Sequence, residues 1–175
     1  INKVVSQFGG IDILISNTGS AFQGQMKDLD ELTLQKSMAN NFYSHHYIIQ
    51  ETVKIMINQA FGGSISINLS KQSINPGNNF GPYGIAKASA LFMMKQYALE
   101  CGQYNIRVNG VNADRIESGL LTKEMIRQRA KARGIKESDY LRKNLLNKEV
   151  SASDVAESFY VQLFLEKTTA NIITV

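Results

Sequence analysis

The sequence predicts an α/β domain built on a parallel sheet, and two observations predict it. Four short apolar, β-rich runs, IDILIS (11–16), SISINLS (64–70), IRVNGVNA (106–113) and IITV (172–175), alternate with longer stretches whose apolar residues follow helical spacing. Glycine pairs, Gly9-Gly10 and Gly62-Gly63, mark two of the helix-to-strand changes.

Each element has a local reason. Ile1, Val4, Val5 and Phe8 follow helical spacing, and Gly9-Gly10 stops them. IDILIS is continuous rather than alternating, as expected for a strand buried on both faces, and it ends in the turn signal NTG. A long helix is expected from about Asp30 to Ala60, broken by Gly62-Gly63 before SISINLS. The loop KQSINPGNNFGP holds both prolines and leads into a helix carrying Tyr83 and ending near Gly102. IRVNGVNA is the third strand, and a charged, mostly helical section follows over about 119–148. SASD (151–154) reads as a capping box with Asp in place of the usual Glu or Gln, opening a helix to about Leu165. IITV closes the chain as a fourth strand.

Composition narrows the class. At 175 residues, 43% apolar and 19% charged, the chain suits one soluble domain with a real core. The single Cys101 cannot form an internal disulfide and points to a reducing, cytoplasmic setting. No run reaches the roughly 20 apolar residues of a membrane span. A net charge of +4 is too small to argue for nucleic acid. The chain opens on INKVV and closes on NIITV, and both ends read as cuts from a longer protein.

Ligands of open parallel sheets bind beyond the carboxyl ends of the strands. Asn17-Thr18-Gly19, Ser70 and the segment from Ala113 to Ser118 all follow strand ends, so they are expected on one edge. In PYGIAKASA (82–90), Tyr83 and Lys87 stand four apart on one helical face. A nearby cation favours an ionised phenol, one way to make a tyrosine a proton carrier near neutral pH. An ordinary amphipathic helix would also carry this spacing.

FGGIDILISNTG, NNFYSHHYIIQE, GGSISINLS, PYGIAKASA, ALECGQYNIRVNGV, SASDVAESF and TTANIITV together resemble the short-chain dehydrogenase/reductase family over essentially the whole chain. The resemblance implies a Rossmann-like doubly wound parallel sheet, present as its C-terminal part. It implies hydride transfer between NAD or NADP and an alcohol or carbonyl carbon of a small molecule, in a homodimer or homotetramer paired through the helices of Asn41 and Tyr83. Tyr83 would be the general acid/base. Lys87 would lower the tyrosine's pKa and hold the nicotinamide ribose. Ser70 would orient the reacting oxygen, and Asn41 (with Asn40 as rival) would hold a relay water. Asn17, Thr18 and Gly19 would lie along the adenosine half of the coenzyme. Ala113, Ile116 and Ser118 match the stretch that meets the nicotinamide carboxamide. Ser70 and Asn41 also have plain readings, as a turn serine and a helix-interior polar residue.

The departures matter. Ser16-Asn17-Thr18-Gly19 stands where the family has Asn-Asn-Ala-Gly, and Ala113-Asp114 where most members have Pro-Gly. The family's Gly-rich pyrophosphate turn is not in this chain, nor is the residue that selects NAD over NADP, so the chain alone is expected to be inactive. The runs VNADRIESGLL, NLLNKEVSASDVAESF and TTANIITV look most like the dehydrogenase module fused to class II aldolases, which implies sugar, sugar phosphate or hydroxyaldehyde substrates. A non-catalytic binding or assembly module is the alternative. The strand at 11–16 is expected at a sheet edge.

Residues 123–148 hold nine Lys or Arg against three Asp or Glu. They read either as a solvated helical face or as a lid whose cations meet a phosphate or carboxylate. His45 and His46 are adjacent in a helix, point apart and make a poor metal pair; no metal is expected. Phe92, Met93, Met94 and Tyr97 read as core or subunit contacts.

Overall fold

The computed structural model describes residues 1–175. Its elements run α1 (Asn2–Phe8), β1 (Ile13–Ser16), α2 (Glu31–Met38), a π turn (Ala39–Tyr43), α3 (Ser44–Gln59), β2 (Gly63–Asn68), α4 (Gly81–Cys101), β3 (Ile106–Asn112), α5 (Lys123–Ala132), α6 (Glu137–Leu141), α7 (Ala152–Phe164) and β4 (Ile172–Thr174). The strands form one parallel sheet in the order β1-β2-β3-β4. No helix is long and apolar enough to cross a membrane.

Local chemistry explains the helix ends. α1 stops at Gly9, whose φ of 85° is left-handed and costs glycine little. Asp30 caps α2 by accepting from Thr33 N at 2.8 Å. At α7 the Ser151 side chain caps Asp154 N while the Asp154 carboxylate accepts from Ser151 N at 2.7 Å, the reciprocal box read from SASD.

Alternation along β2 sorts its side chains between two layers. Ile65 and Ile67 pack with Ile49, Val53 and Met56 of α3 and Ala90, Leu91 and Met94 of α4. Ser66 faces the other way and donates to Gln162 Oε1 of α7 at 2.6 Å, while Gln162 Nε2 donates to the Gly110 carbonyl at 2.7 Å. Val111 meets Val155 and Phe159 of α7 on that same side. Helices thus flank both faces of a four-stranded parallel sheet, as the α/β reading requires.

Three expectations need correction. Within this chain β1 is covered on one face: Ile13 and Ile15 are 49% and 46% exposed, and α7 packs on β2 and β3. The helix expected over 30–60 is two helices joined by the π turn. The section 119–148 holds only two short helices, built around a small cluster of their own formed by Leu121, Ile126, Ala130 and Tyr140. β1 does lie at a sheet edge.

Candidate active site

Parallel register brings the strand ends to one edge, with Ser16 opposite Ile67 and Asn68 opposite Val111. The segments that follow β1, β2 and β3 line a cleft of about 960 Å³ together with the start of α4. Asn17, Thr18, Gly19, Ser70, Tyr83, Lys87, Ala113, Ile116 and Ser118 all line it. Asn41 lies fully buried beneath.

Ser70 stands two residues past the end of β2, not within the strand as the sequence suggested. It caps the short turn Lys71–Ser73, its Oγ accepting from Gln72 N at 3.2 Å. One α-helical turn carries Tyr83 and Lys87 to the same side of α4, with Lys87 Nζ 5.9 Å from the centre of the phenol ring. Lys87 is 2% exposed, and its Nζ donates to the Asn68 carbonyl at 2.8 Å. Burial without a carboxylate partner lowers its pKa to about 8. Burial pushes the Tyr83 phenol above its ordinary value, and the neighbouring Ser70 hydroxyl offsets part of that rise. This is opposite in direction to the expectation that Lys87 lowers it. The ammonium is turned onto the Asn68 carbonyl, and its approach to the phenol is over the ring.

Asn41 sits in the π turn, a distortion of the helix that recurs at functional sites. Its side chain clamps the backbone of Ser20, accepting from Ser20 N and donating to Ser20 O, each at 2.9 Å. Its Nδ2 also donates to Ser37 O at 3.1 Å. Asn40, the rival position, is exposed. Gly19 lies where these groups crowd together: a β-carbon there would come 3.0 Å from Asn41 Oδ1 and 3.6 Å from Lys87 Nζ. Asn17 Oδ1 accepts from Asn68 Nδ2 at 2.6 Å. Ser118 Oγ accepts from Leu120 N and Leu121 N, at 3.2 and 3.3 Å, and so shapes the turn entering α5. Asp114 is held by Lys71 at 3.1 Å.

The family model described as enoyl-(acyl carrier protein) reductase, a short-chain dehydrogenase/reductase model, matches residues 1–174. The chain belongs to the short-chain dehydrogenase/reductase family. A relative from Bacillus subtilis strain 168, named uncharacterized oxidoreductase YuxG, is 32% identical over 96% of this chain, which spans 26% of that protein. Dehydrogenase/reductase SDR family member 4 from Bos taurus is 36% identical over 62% of this chain and 39% of its own length. Among solved structures, levodione reductase superposes with a TM-score of 0.87 at 18% identity, covering 99% of this chain and 68% of its own. Acetoin dehydrogenase from Enterobacter cloacae gives 0.84 at 19%, covering 99% of this chain and 66% of its own. At these identities the structures show the shared fold.

Within this family fold, His45 has a place that the sequence reading missed. It is fully buried, and its Nδ1 pairs with Ser16 Oγ at 2.6 Å. Burial, then the Lys87 charge, lowers its pKa to about 4, while the Thr18 backbone, approaching short of a well-formed hydrogen bond, pushes the other way. His45 is therefore neutral at physiological pH and ties the end of β1 to α3. Its spacing of four from Asn41 was the available signal. His46 points away to Tyr97, whose hydroxyl lies 3.2 Å from His46 Nδ1.

Proposed function

We propose that this chain is the chemical half of an NAD(P)-dependent oxidoreductase acting on a CH–OH carbon of a small molecule. The observation that carries the reading is the meeting of Ser70, Tyr83 and Lys87 on one cleft at the carboxyl edge of a parallel sheet. The chain spans about two-thirds or less of the relatives it matches, which supports reading it as the C-terminal part of one dehydrogenase domain.

The coenzyme's fit rests on Gly19. A β-carbon at Gly19 would crowd Asn41 Oδ1 and press toward Lys87, so glycine keeps the turn close against both side chains that face the proposed coenzyme path. Asn17, Thr18 and Gly19 would hold the adenosine side, Lys87 the nicotinamide ribose, and Ala113, Ile116 and Ser118 the carboxamide. A bound nicotinamide supplies or takes the hydride.

The chain's own residues manage the proton. Tyr83, protonated at neutral pH, donates its hydroxyl proton to a carbonyl oxygen that gains a hydride, or receives the proton when an alcohol is oxidised. Ser70 donates a hydrogen bond to the same oxygen and holds it facing Tyr83. Lys87 places a positive charge beside the oxygen as it turns alkoxide-like. Asn41 keeps the 17–20 turn in register with Lys87, where a water would carry protons from the ammonium to solvent.

The substrate is proposed to be a sugar, sugar phosphate or hydroxyaldehyde, in a protein that also carries a class II aldolase domain. The chain spans only 26% of YuxG, a length that leaves room there for a further domain. The experiment that tests the reading is transfer of deuteride from a deuterated coenzyme to the carbon of a small carbonyl compound.

A homodimer or homotetramer paired through α3 and α4 is also proposed. Phe92 is 72% exposed there, and Phe42, His46, Met93 and Tyr97 line a shallow depression beside it. Sedimentation of the complete protein is expected to give a multiple of its chain mass. A Phe92→Glu variant is expected to sediment as a smaller species; unchanged assembly would place the interface elsewhere.

A further inference from the structure

The cleft has a second chemical feature, away from Tyr83. Arg115, Arg129 and Arg133 line it, and none of them is paired with a carboxylate. The only acid on the cleft wall is Asp114, and Lys71 already neutralises it. Arg129, on α5, lies over the Phe80 ring with its Cζ 5.1 Å from the ring centre. Phe80 in turn meets Tyr83 edge-on at 6.3 Å. Arg129 Nη2 is sealed from solvent and has no hydrogen-bond partner. Arg115 and Arg133 flank the Tyr140 ring at 4.8 and 5.3 Å. Arg115 Nη1 donates to the Tyr140 carbonyl, and Arg133 Nη1 to the Arg129 carbonyl.

A buried N–H without an acceptor carries a desolvation cost, which a ligand oxygen would relieve once a rotation of the side chain turned that N–H into the cleft. Guanidinium groups are the side chains best matched to carboxylate and phosphate, which they grip by two parallel hydrogen bonds. Phe80 and Tyr140 hold the three guanidinium groups at the cleft by cation–π contact.

We propose that Arg129, flanked by Arg133 and Arg115, seats an oxyanion of the substrate, a carboxylate or a phosphate, while its CH–OH or carbonyl carbon lies at Tyr83. This rests on the oxidoreductase reading above and deepens it. It selects an anionic substrate over a neutral sugar or hydroxyaldehyde. The chemistry constrains the neighbouring reactions: the substrate must come from a step that makes or leaves a charged group on a hydroxy or carbonyl compound.

The test is calorimetric titration of inorganic phosphate and, separately, of acetate into the complete protein saturated with coenzyme. One saturable site is expected for at least one of them. Arg129→Met should weaken it by about tenfold to a hundredfold, the loss of one or two charge-assisted hydrogen bonds. Arg129→Lys, which keeps the charge and loses the fork, should fall between, and the remote Lys54→Met should match wild type. Tighter phosphate binding assigns a phosphate ester, and tighter acetate binding a carboxylate. Equal affinity in wild type and Arg129→Met, or no saturable site for either anion, overturns the proposal. If Arg129→Met melts early, Arg129→Lys decides alone, and wild-type affinity in that variant counts against the guanidinium fork. Coenzyme binding is read in the same samples. Its failure would sink the oxidoreductase reading, whereas coenzyme binding with an anion affinity indifferent to Arg129 would sink only the oxyanion seat.

Discussion

Replacing Tyr83 with Phe in the complete protein is expected to lower kcat by about 10²–10⁴-fold, the range for loss of a general acid–base group. The variant should remain folded. Only a hydroxyl is removed, and one hydrogen bond of such a group is worth about 0.5–1.5 kcal/mol. The raised pKa of the phenol sets the pH dependence. Tyr83 carries its proton at neutral pH and is ready to donate it, so carbonyl reduction should be favoured there. Alcohol oxidation needs the phenolate and should speed up as pH rises. A variant retaining more than about a tenth of the wild-type rate would remove Tyr83 from the proton path.

Lys87→Met is expected to separate activity from stability. Burial has lowered the pKa of Lys87 from 10.5 to about 8. Between those values the unfolded chain holds a proton that the folded chain does not, so this group's contribution to stability rises with pH across that window. Below pH 8 both states are charged, and the folded protein bears the full desolvation cost, on the order of 3 kcal/mol. Methionine removes that cost while filling similar space. It leaves the Asn68 carbonyl unpaired, a loss of about 1–3 kcal/mol. The variant should therefore melt at or slightly above the wild-type temperature at pH 7, whereas kcat should fall by about 10²-fold or more. A clear drop in Tm at pH 7 would show that Lys87 acts mainly as a structural anchor.

Much of the site was legible because it is written in short spacings. Tyr83 and Lys87 are one helical turn apart, Ser151 and Asp154 form their box over three residues, and NTG and Ser70 follow strand ends that the parallel sheet must align. What could not be read depends on distant packing. The rise in the Tyr83 pKa comes from burial, and the direction of the Lys87 ammonium is set by the Asn68 carbonyl, 19 positions earlier in the chain. In the sequence His45 reads as half of a poor metal pair, because its bond to Ser16 joins α3 to the end of β1, 29 positions away. Arg129 reads in the sequence as one cation among nine, because Phe80, the ring beneath its guanidinium, stands in a different loop.

The central claim is that this cleft moves a hydride between a nicotinamide and a CH–OH carbon, with Tyr83 handling the proton. The most direct measurement incubates the complete protein with C4-deuterated NADH or NADPH and a panel of small hydroxyaldehydes and their phosphate and carboxylate analogues, then locates the deuterium by mass spectrometry. The account predicts deuterium on the carbon of the newly formed alcohol with wild type, and label left on the coenzyme with Tyr83→Phe. Coenzyme bound by the wild-type protein with its deuterium retained against every member of the panel, or transfer by Tyr83→Phe at the wild-type rate, would contradict it.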